Sequence, residues 1–362
     1  MAQNAIKSLE ISLKNKFSLF LRKKKNTILI AQPDDIFNDD ELFSILLLRQ
    51  DRIGDLLVSV PTIKELRNTL PNTRIDIILG SKNISARKAI EPYIDNIYLY
   101  DKKLLSSISM LMKIRNQEYA LVIDMFDNAS STSSYLTNWS NAALALGIEK
   151  SNRDCYNYIV PLKDKNTTHI TERIAQLLLP FGIEPTSLDL RLEYPISREE
   201  KNAARSLLPI DADKQVLGII LSGSSPEKFW GQENLTRFLI SCKQHFPQLS
   251  PVLFYQNDKA ETARAIASQS GAAIATPAKD FHEFAAAVSL CDYLLTPDTS
   301  AVHLASAFKI PCVALYTYSG NQFGMPWYPY KTTYKALVTE CSDGIKMISP
   351  DEAAKALSEI LK

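Results

Sequence analysis

Two stretches of this 362-residue chain carry side chains that could do chemistry: Asp298-Thr299-Ser300-Ala301-Val302-His303-Leu304-Ala305, and far upstream Arg49-Gln50-Asp51-Arg52-Ile53-Gly54-Asp55. Each follows a short apolar run and opens an apolar-patterned helix. An open α/β sheet places its ligands there, beyond the carboxyl ends of strands and beside helix N-termini. Asp298, Thr299 and Ser300 would cap their helix, and His303, four residues after Thr299, shares a helical face with it. That arrangement suits a phosphate group; a lone helical histidine is otherwise a packed, structural residue. Asp55 has two readings. It is either the cap of a helix over 56–70, worth about 1 kcal/mol, or a general base beside which Gly54 leaves room for an acceptor. Arg49 and Arg52 either bind anionic groups on that acceptor or pair with Asp51. A third cluster, Ser222-Gly223-Ser224-Ser225-Pro226-Glu227-Lys228-Phe229-Trp230, offers hydroxyls, backbone N–H groups and a lysine that could hold a diphosphate. Its other reading is a polar turn ending at a core tryptophan. The DxD-like Asp211-Ala212-Asp213 precedes a strand instead of following one and reads as a turn.

The elements that must position these groups alternate regularly. Strands are predicted at 43–49, 74–80, 96–100, 119–125 and 156–160, with helical segments at 56–70, 85–93, 103–117, 134–146 and 168–181. The stretch 185–209 breaks the rhythm, contains Pro195 and reads as a linker. Strands then recur at 215–221, 251–255, 272–276, 292–296 and 312–316, separated by helices at 233–246, 259–269, 281–291 and 300–308, with a closing amphipathic helix at 351–362. Such alternation predicts parallel sheets with helices on both faces. Two halves of similar size suggest twin nucleotide-binding-like domains facing across a cleft, over 26–190 and 191–345. A segment 1–25 precedes them, and a C-terminal helix over 346–362 is expected to pack back on the first half.

Composition narrows the function classes. A net charge of +1, with 46% hydrophobic and 22% charged residues, describes an ordinary globular chain with no field for nucleic acid. Neither GxGxxG nor GxxxxGK[ST] occurs, and 11 glycines are few, which argues against a dinucleotide oxidoreductase or a P-loop ATPase. Five scattered cysteines without CxxC spacing, and four histidines without ligand spacing, predict reduced thiols, a cytoplasmic setting, no metal and no cofactor. No apolar run reaches the ~20 residues of a membrane span. Residues 5–25 place Ile6, Leu9, Leu13, Phe17 and Phe20 on one helical face among seven basic residues. They form either a surface helix docked on the protein itself or an interfacial helix on an anionic membrane.

Together these motifs resemble the heptosyltransferases of lipopolysaccharide core synthesis, glycosyltransferase family 9. The family pattern R-x-D-R-I-G-D is met by Arg49 to Asp55, followed by Pro61 and Leu66-Arg67. Its D-T/S-G-x-x-H-L-A-x-A pattern is met by Asp298, Thr299, His303, Leu304, Ala305 and Ala307, then by Trp327-Tyr328-Pro329. The resemblance covers roughly residues 43–340. It implies a GT-B fold and metal-independent, inverting transfer of a heptose from ADP-heptose to a lipid-anchored saccharide acceptor, by a cytoplasmic enzyme at the inner face of the inner membrane. By that resemblance Asp55 is the base, and Arg49, Arg52 and Gly54 lie on the acceptor side. Ser224, Lys228, Asp298, Thr299, Ser300 and His303 would hold the donor, and Glu261 its ribose. Ser300 and Gln256 stand where the family usually has glycine. A helical φ at Ser300 keeps the amide contact to phosphate, whereas a positive φ would strain the residue. Another nucleotide-sugar donor, or a non-catalytic nucleotide-sugar binding protein, are the competing readings.

Overall fold

Runs such as Ser44–Leu48 are apolar without alternation, and all five residues are buried. A strand buried on both faces belongs in a parallel sheet covered by helices, and the computed structural model contains two such sheets. It describes residues 25–39, 42–209, 211, 213–221, 223, 225–318, 324–340 and 343–361. The expected N-terminal helix therefore lies almost wholly outside the described residues. Two units result, one from the residues up to Lys163 together with Ile170–Leu190, the other from Asp164–His169 and the residues from Arg191 onward.

Unit 1 is built on seven strands: β1 (Ile28–Leu29), β2 (Ser44–Leu48), β3 (Arg74–Gly80), β4 (Asn96–Tyr100), β5 (Leu121–Asp124), β6 (Leu144–Ile148) and β7 (Tyr158–Val160). Their spatial order is β1-β7-β6-β5-β2-β3-β4, parallel throughout. The strand order reverses where β2 meets β5, Ile45 lying beside Leu121. Helices α1 (Ile53–Thr69), α2 (Leu104–Arg115), α3 (Ser131–Trp139) and α4 (Ile170–Ala175) belong to this unit.

Unit 2 carries β8 (Gln215–Ile220), β9 (Leu249–Phe254), β10 (Ala273–Ile274), β11 (Tyr293–Pro297), β12 (Cys312–Thr317) and β13 (Tyr334–Thr339), in the order β10-β9-β8-β11-β12-β13 and again all parallel. Counted from β8 this is 3-2-1-4-5-6, the order of a dinucleotide-binding sheet, with its reversal between β8 and β11. Its helices are α5 (Arg198–Ala204), α6 (Gln232–His245), α7 (Ala260–Ser270), α8 (Phe281–Val288), α9 (Ser300–Phe308) and α10 (Pro350–Ser358). Trp230 is buried in this core and donates its indole N–H to the Ile348 carbonyl at 2.8 Å. Ala353, Ala356, Leu357 and Ile360, from α10 and the residues after it, pack into the same cluster.

Five sequence expectations need correction, the first being the closing helix, which packs into the core of unit 2 where the first half was expected. Helix α1 begins at Ile53, three residues before the expected start. Leu57 and Val58 are buried as well as Leu56 and Val60, so the apolar stripe is too broad to mark where the helix begins. The expected helix over 134–146 ends at Trp139; Asn141 turns the chain at φ +55°, and strand β6 follows. Ile84–Ala89 and Glu91–Tyr93 form two 3-10 turns, the second with Pro92 at its centre. The expected linker contains α5, started by the capping box of Ser197 and Glu200, and Glu200 accepts from His282 Nε2 at 2.9 Å.

Candidate active site

In unit 1 the chain leaves β2 directly into Arg49, beside the end of β5. Arg49 is almost fully buried. Its Nε donates to the Asp55 carbonyl at 2.8 Å, and its Nη1 to the Met125 carbonyl at 2.9 Å. Its Nη2 lies 3.6 Å from Asp55 Oδ1, and the guanidinium sits over the Phe126 ring at 5.0 Å. Arg49 is thus bonded to the protein's own groups, while Asp51 and Arg52 are exposed. Asp55 occupies the third position of α1 and accepts from the Arg52 N–H at 3.3 Å, so it supports the helix start from inside the first turn.

The Asp55 carboxyl is pushed above the ordinary aspartate range, chiefly by burial. Arg49 opposes this, Asp51 adds to it, and the Arg52 N–H and side chain oppose it more weakly. A raised carboxylate at the mouth of a strand is suited to accept a proton. Gly54 directly precedes it in the first turn of α1. Gly80 permits the close approach of the β2 and β3 ends, since a Cβ there would meet the Gln50 carbonyl oxygen at 2.6 Å.

Sequence reasoning missed the groups that hold this corner in place. Asp124, ending β5, accepts from Tyr156 Oη at 2.6 Å, Lys150 Nζ at 2.9 Å and the Phe126 N–H at 3.1 Å. Lys150 also donates to the Phe126 carbonyl. Asp127 receives Arg173 Nε at 3.0 Å and Nη2 at 2.9 Å. The segment Met125–Asp127 that anchors Arg49 is therefore fixed by two buried ion pairs. The acidic residues were visible just after an apolar run, but Lys150 follows β6, the strand the sequence reading took for helix.

In unit 2 the corresponding corner lies beyond β8 and β11. Ser222 and Ser224 lie outside the described residues. Gly223 is where two loops touch: a Cβ there would stand 2.7 Å from Lys228 Cβ and 3.2 Å from Thr299 Cγ2. Lys228 Nζ donates to the Asp298 carbonyl at 2.8 Å and to Asp298 Oδ2 at 2.6 Å, in a half-exposed pair. Thr299 is the N-cap of α9, its Oγ1 accepting from the Ala301 N–H at 3.2 Å. Ser300 opens the helix and is absent from the positive-φ residues, so its amide geometry needs no glycine. Gln256 is likewise extended, at φ −92°.

His303 is buried in the second turn of α9, its ring 6.2 Å from that of Trp327, and its Nδ1 has no hydrogen-bond partner among the described residues. Burial lowers its pKa to about 4, Asp298 opposing and Lys228 adding to the shift, so the imidazole is neutral at pH 7. The Trp327–Tyr330 element is held against α9 and β12, with Tyr330 N donating to Ser306 Oγ at 2.8 Å and Tyr316 Oη to the Trp327 carbonyl at 3.1 Å. Glu261 is exposed in the first turn of α7, past the end of β9. In the DxD-like stretch Asp213 N donates to Asp211 Oδ1, the turn that was expected. Among the described residues no three acidic, histidine or cysteine side chains gather as a metal site, and no helix is long and apolar enough to cross a membrane.

The chain is similar to proteins of one family. Residues 108–354 match the family model of glycosyltransferase family 9 (heptosyltransferase), a span that starts beyond the Arg49–Asp55 motif. Lipopolysaccharide heptosyltransferase 3 of Escherichia coli K12 is 22% identical over 292 residues, covering 76% of this chain and 82% of that protein. A glycosyl transferase family 9 structure from Veillonella parvula superposes with a TM-score of 0.75 at 21% identity, covering 90% of this chain and 99% of the other. The E. coli heptosyltransferase WaaC, solved with ADP-2-deoxy-2-fluoro heptose, gives 0.69 at 13% identity, with 88% and 99% covered. At these identities the structures establish the fold, two Rossmann-like domains of the GT-B class.

Proposed function

The chain belongs to glycosyltransferase family 9, and from that premise we propose that it transfers a heptose from ADP-heptose to a lipid-anchored saccharide of the lipopolysaccharide core. The observation that carries the donor side is the juxtaposition, at the strand-order reversal of unit 2, of the Lys228 ammonium with the N-terminus of α9. Two of the three lysine N–H donors go to Asp298, which leaves one for a phosphate oxygen. Of the first N–H groups of α9, that of Ala301 is capped by Thr299 Oγ1 and that of Val302 bonds the Thr299 carbonyl, and the positive end of the helix favours an anion. Neutral His303 supplies a polar contact one turn further in, and Glu261 stands past the second strand of the sheet, where an acidic residue meets a ribose. WaaC was solved with an ADP-heptose analogue and E. coli heptosyltransferase 3 is a lipopolysaccharide enzyme, which supports the donor and acceptor named here.

In the proposed step an acceptor hydroxyl attacks the anomeric carbon from the face opposite the diphosphate. The new C–O bond forms as the bond to phosphate breaks, with inversion. Asp55 takes the hydroxyl proton. Lys228 and the α9 amides stabilise the charge that grows on the departing ADP, so that no metal ion is required for that role. Arg49 acts on this step through Asp55, keeping it ionised and in place, whereas exposed Arg52 is free to meet anionic groups of the acceptor beside Gly54. The setting that follows is the cytoplasmic side of the inner membrane, where ADP-heptose and a lipid-anchored acceptor meet.

Thermal stability measured with ADP, ADP-heptose, UDP and GDP tests the donor. A ligand at 100 times its Kd adds about 2.7 kcal/mol. A shift confined to the adenine ligands is expected; a shift with UDP or GDP alone would overturn the donor while leaving the fold and family intact.

A further inference from the structure

Helix α2 buries Met110, Leu111 and Ile114 in the core of unit 1. Its other apolar side chains are not covered by described residues. Leu104, Leu105, Ile108 and Met112 are 75%, 82%, 44% and 58% exposed. At about 100° per residue, positions 104, 108, 112 and 105 fall in sequence along one contiguous arc of about 100°. A helix that only faces water carries charge on such an arc. Here the arc carries two leucines, an isoleucine and a methionine, with Arg115 on its last turn and Ser109 and Lys113 beyond its edge, and no acidic residue occurs from 102 to 117. Lys102 and Lys103 stand at one end and Lys113 and Arg115 at the other, all exposed. The nearby Asp101 carboxylate is occupied by Ser106 Oγ and the Lys103 N–H.

We infer that this face of α2 lies on an anionic phospholipid surface, its four apolar side chains at headgroup depth and its flanking cations against lipid phosphates. An uncovered apolar stripe bracketed by Lys and Arg is the pattern of an interfacial helix. A second copy of the chain fits the same face poorly. A symmetric contact through α2 would bring its four cations together with no acidic residue of the helix to pair them. The biological use of such docking rests on the proposed function, in which the acceptor is lipid-anchored; the surface itself does not.

Flotation of the full chain with vesicles of phosphatidylglycerol and phosphatidylethanolamine tests the inference, with pure phosphatidylcholine vesicles as the uncharged comparison. The wild type is expected to float with the anionic vesicles and less so at high salt. Leu105→Glu/Met112→Glu is expected to weaken that binding at least tenfold, with thermal midpoint and ADP-induced shift unchanged because both residues are solvent-facing. Leu105→Trp keeps the surface apolar and reports position directly. Brominated lipid should quench its emission beyond the quenching seen in the wild type. That readout separates α2 from any binding by residues 1–24. Absence of vesicle binding, or vesicle binding with no added quenching at position 105, overturns the inference. So does a wild-type dimer that the glutamate variant dissociates while flotation stays unchanged. Flotation as expected without an ADP-induced shift would sink the donor reading and leave the docking face standing.

Discussion

Replacing Lys150 by methionine asks how firmly the corner that holds Asp55 is built. The Lys150 ammonium lies 2.9 Å from Asp124 Oδ2, the two side chains being 3% and 0% exposed. Removing one partner of such a pair leaves a buried charge uncompensated, at a cost of about 3–5 kcal/mol. Asp124 would keep the Tyr156 hydroxyl and the Phe126 N–H, which places the loss near the lower end, about 3 kcal/mol. For a unit of this size that corresponds to a fall of about 6–12 °C in its midpoint. Urea unfolding followed by circular dichroism would measure it, on the transition that saturating ADP does not move. Asp124→Asn/Lys150→Met removes both charges and is expected to lose less than the sum of the two single variants. Turnover should fall in Lys150→Met through the Met125–Phe126 segment that anchors Arg49, while ADP affinity stays put. A single-variant loss below about 1 kcal/mol, or strict additivity in the cycle, would refute the idea that this pair is what fixes the corner.

Asp55→Asn should lower turnover by about 10²–10⁴ with ADP affinity unchanged, and near-normal turnover would reduce Asp55 to a helix-start residue. Because burial raises the Asp55 pKa, its ionised form opposes folding above that pKa and the opposition is relieved as pH falls through it. Asp55→Asn should therefore compare better with wild type in stability at pH 7 than at pH 4. Arg49→Met removes the cation that opposes the rise, so the acid limb of kcat/KM should move to higher pH; an unmoved limb would disconnect Arg49 from the base. Gly223→Ala forces a Cβ against Lys228 and should raise the ADP Kd by about tenfold or more, since a single lost charged contact is worth about 1.5 kcal/mol or more; calorimetry decides it. For His303, with a folded pKa of about 4, stability in unit 2 is present above the ordinary value near 6.5 and is lost as pH falls toward 4. His303→Gln should flatten that slope, and an unchanged slope would assign it to other groups.

How much of this was legible in the sequence depended on how continuous the apolar run of each element is along the chain. Strands 74–80 and 96–100 and helix 300–308 were read with the observed limits, because apolar runs bounded by turn residues leave little choice. Strand β6 was missed because its LALGI contains two small residues. Gly147 is there because the Tyr156 ring passes so close that a Cβ would meet it at 2.9 Å, a reason that exists only in three dimensions. Strand β13 was missed for a different cause: Lys335 breaks the apolar run of Tyr334–Thr339. The motif residues were found because strand-end loops carry their polar groups locally. The ion pairs behind them join positions 26 and 46 residues apart, and no local pattern announces such partners.

The edge strand β1 has a consequence for how the chain is assembled. Its neighbour is β7, and Thr27 Oγ1 reaches the Tyr156 carbonyl across 129 positions of sequence. At about 5–20 residues per second of synthesis, the earliest described strand waits on the order of ten seconds for the partner it must lie beside. Only two residues long and half-exposed, it brings little of its own to that encounter. It should dock last, exchange its amide protons first, and spend the interval as an unpaired segment on which a nascent-chain chaperone could act.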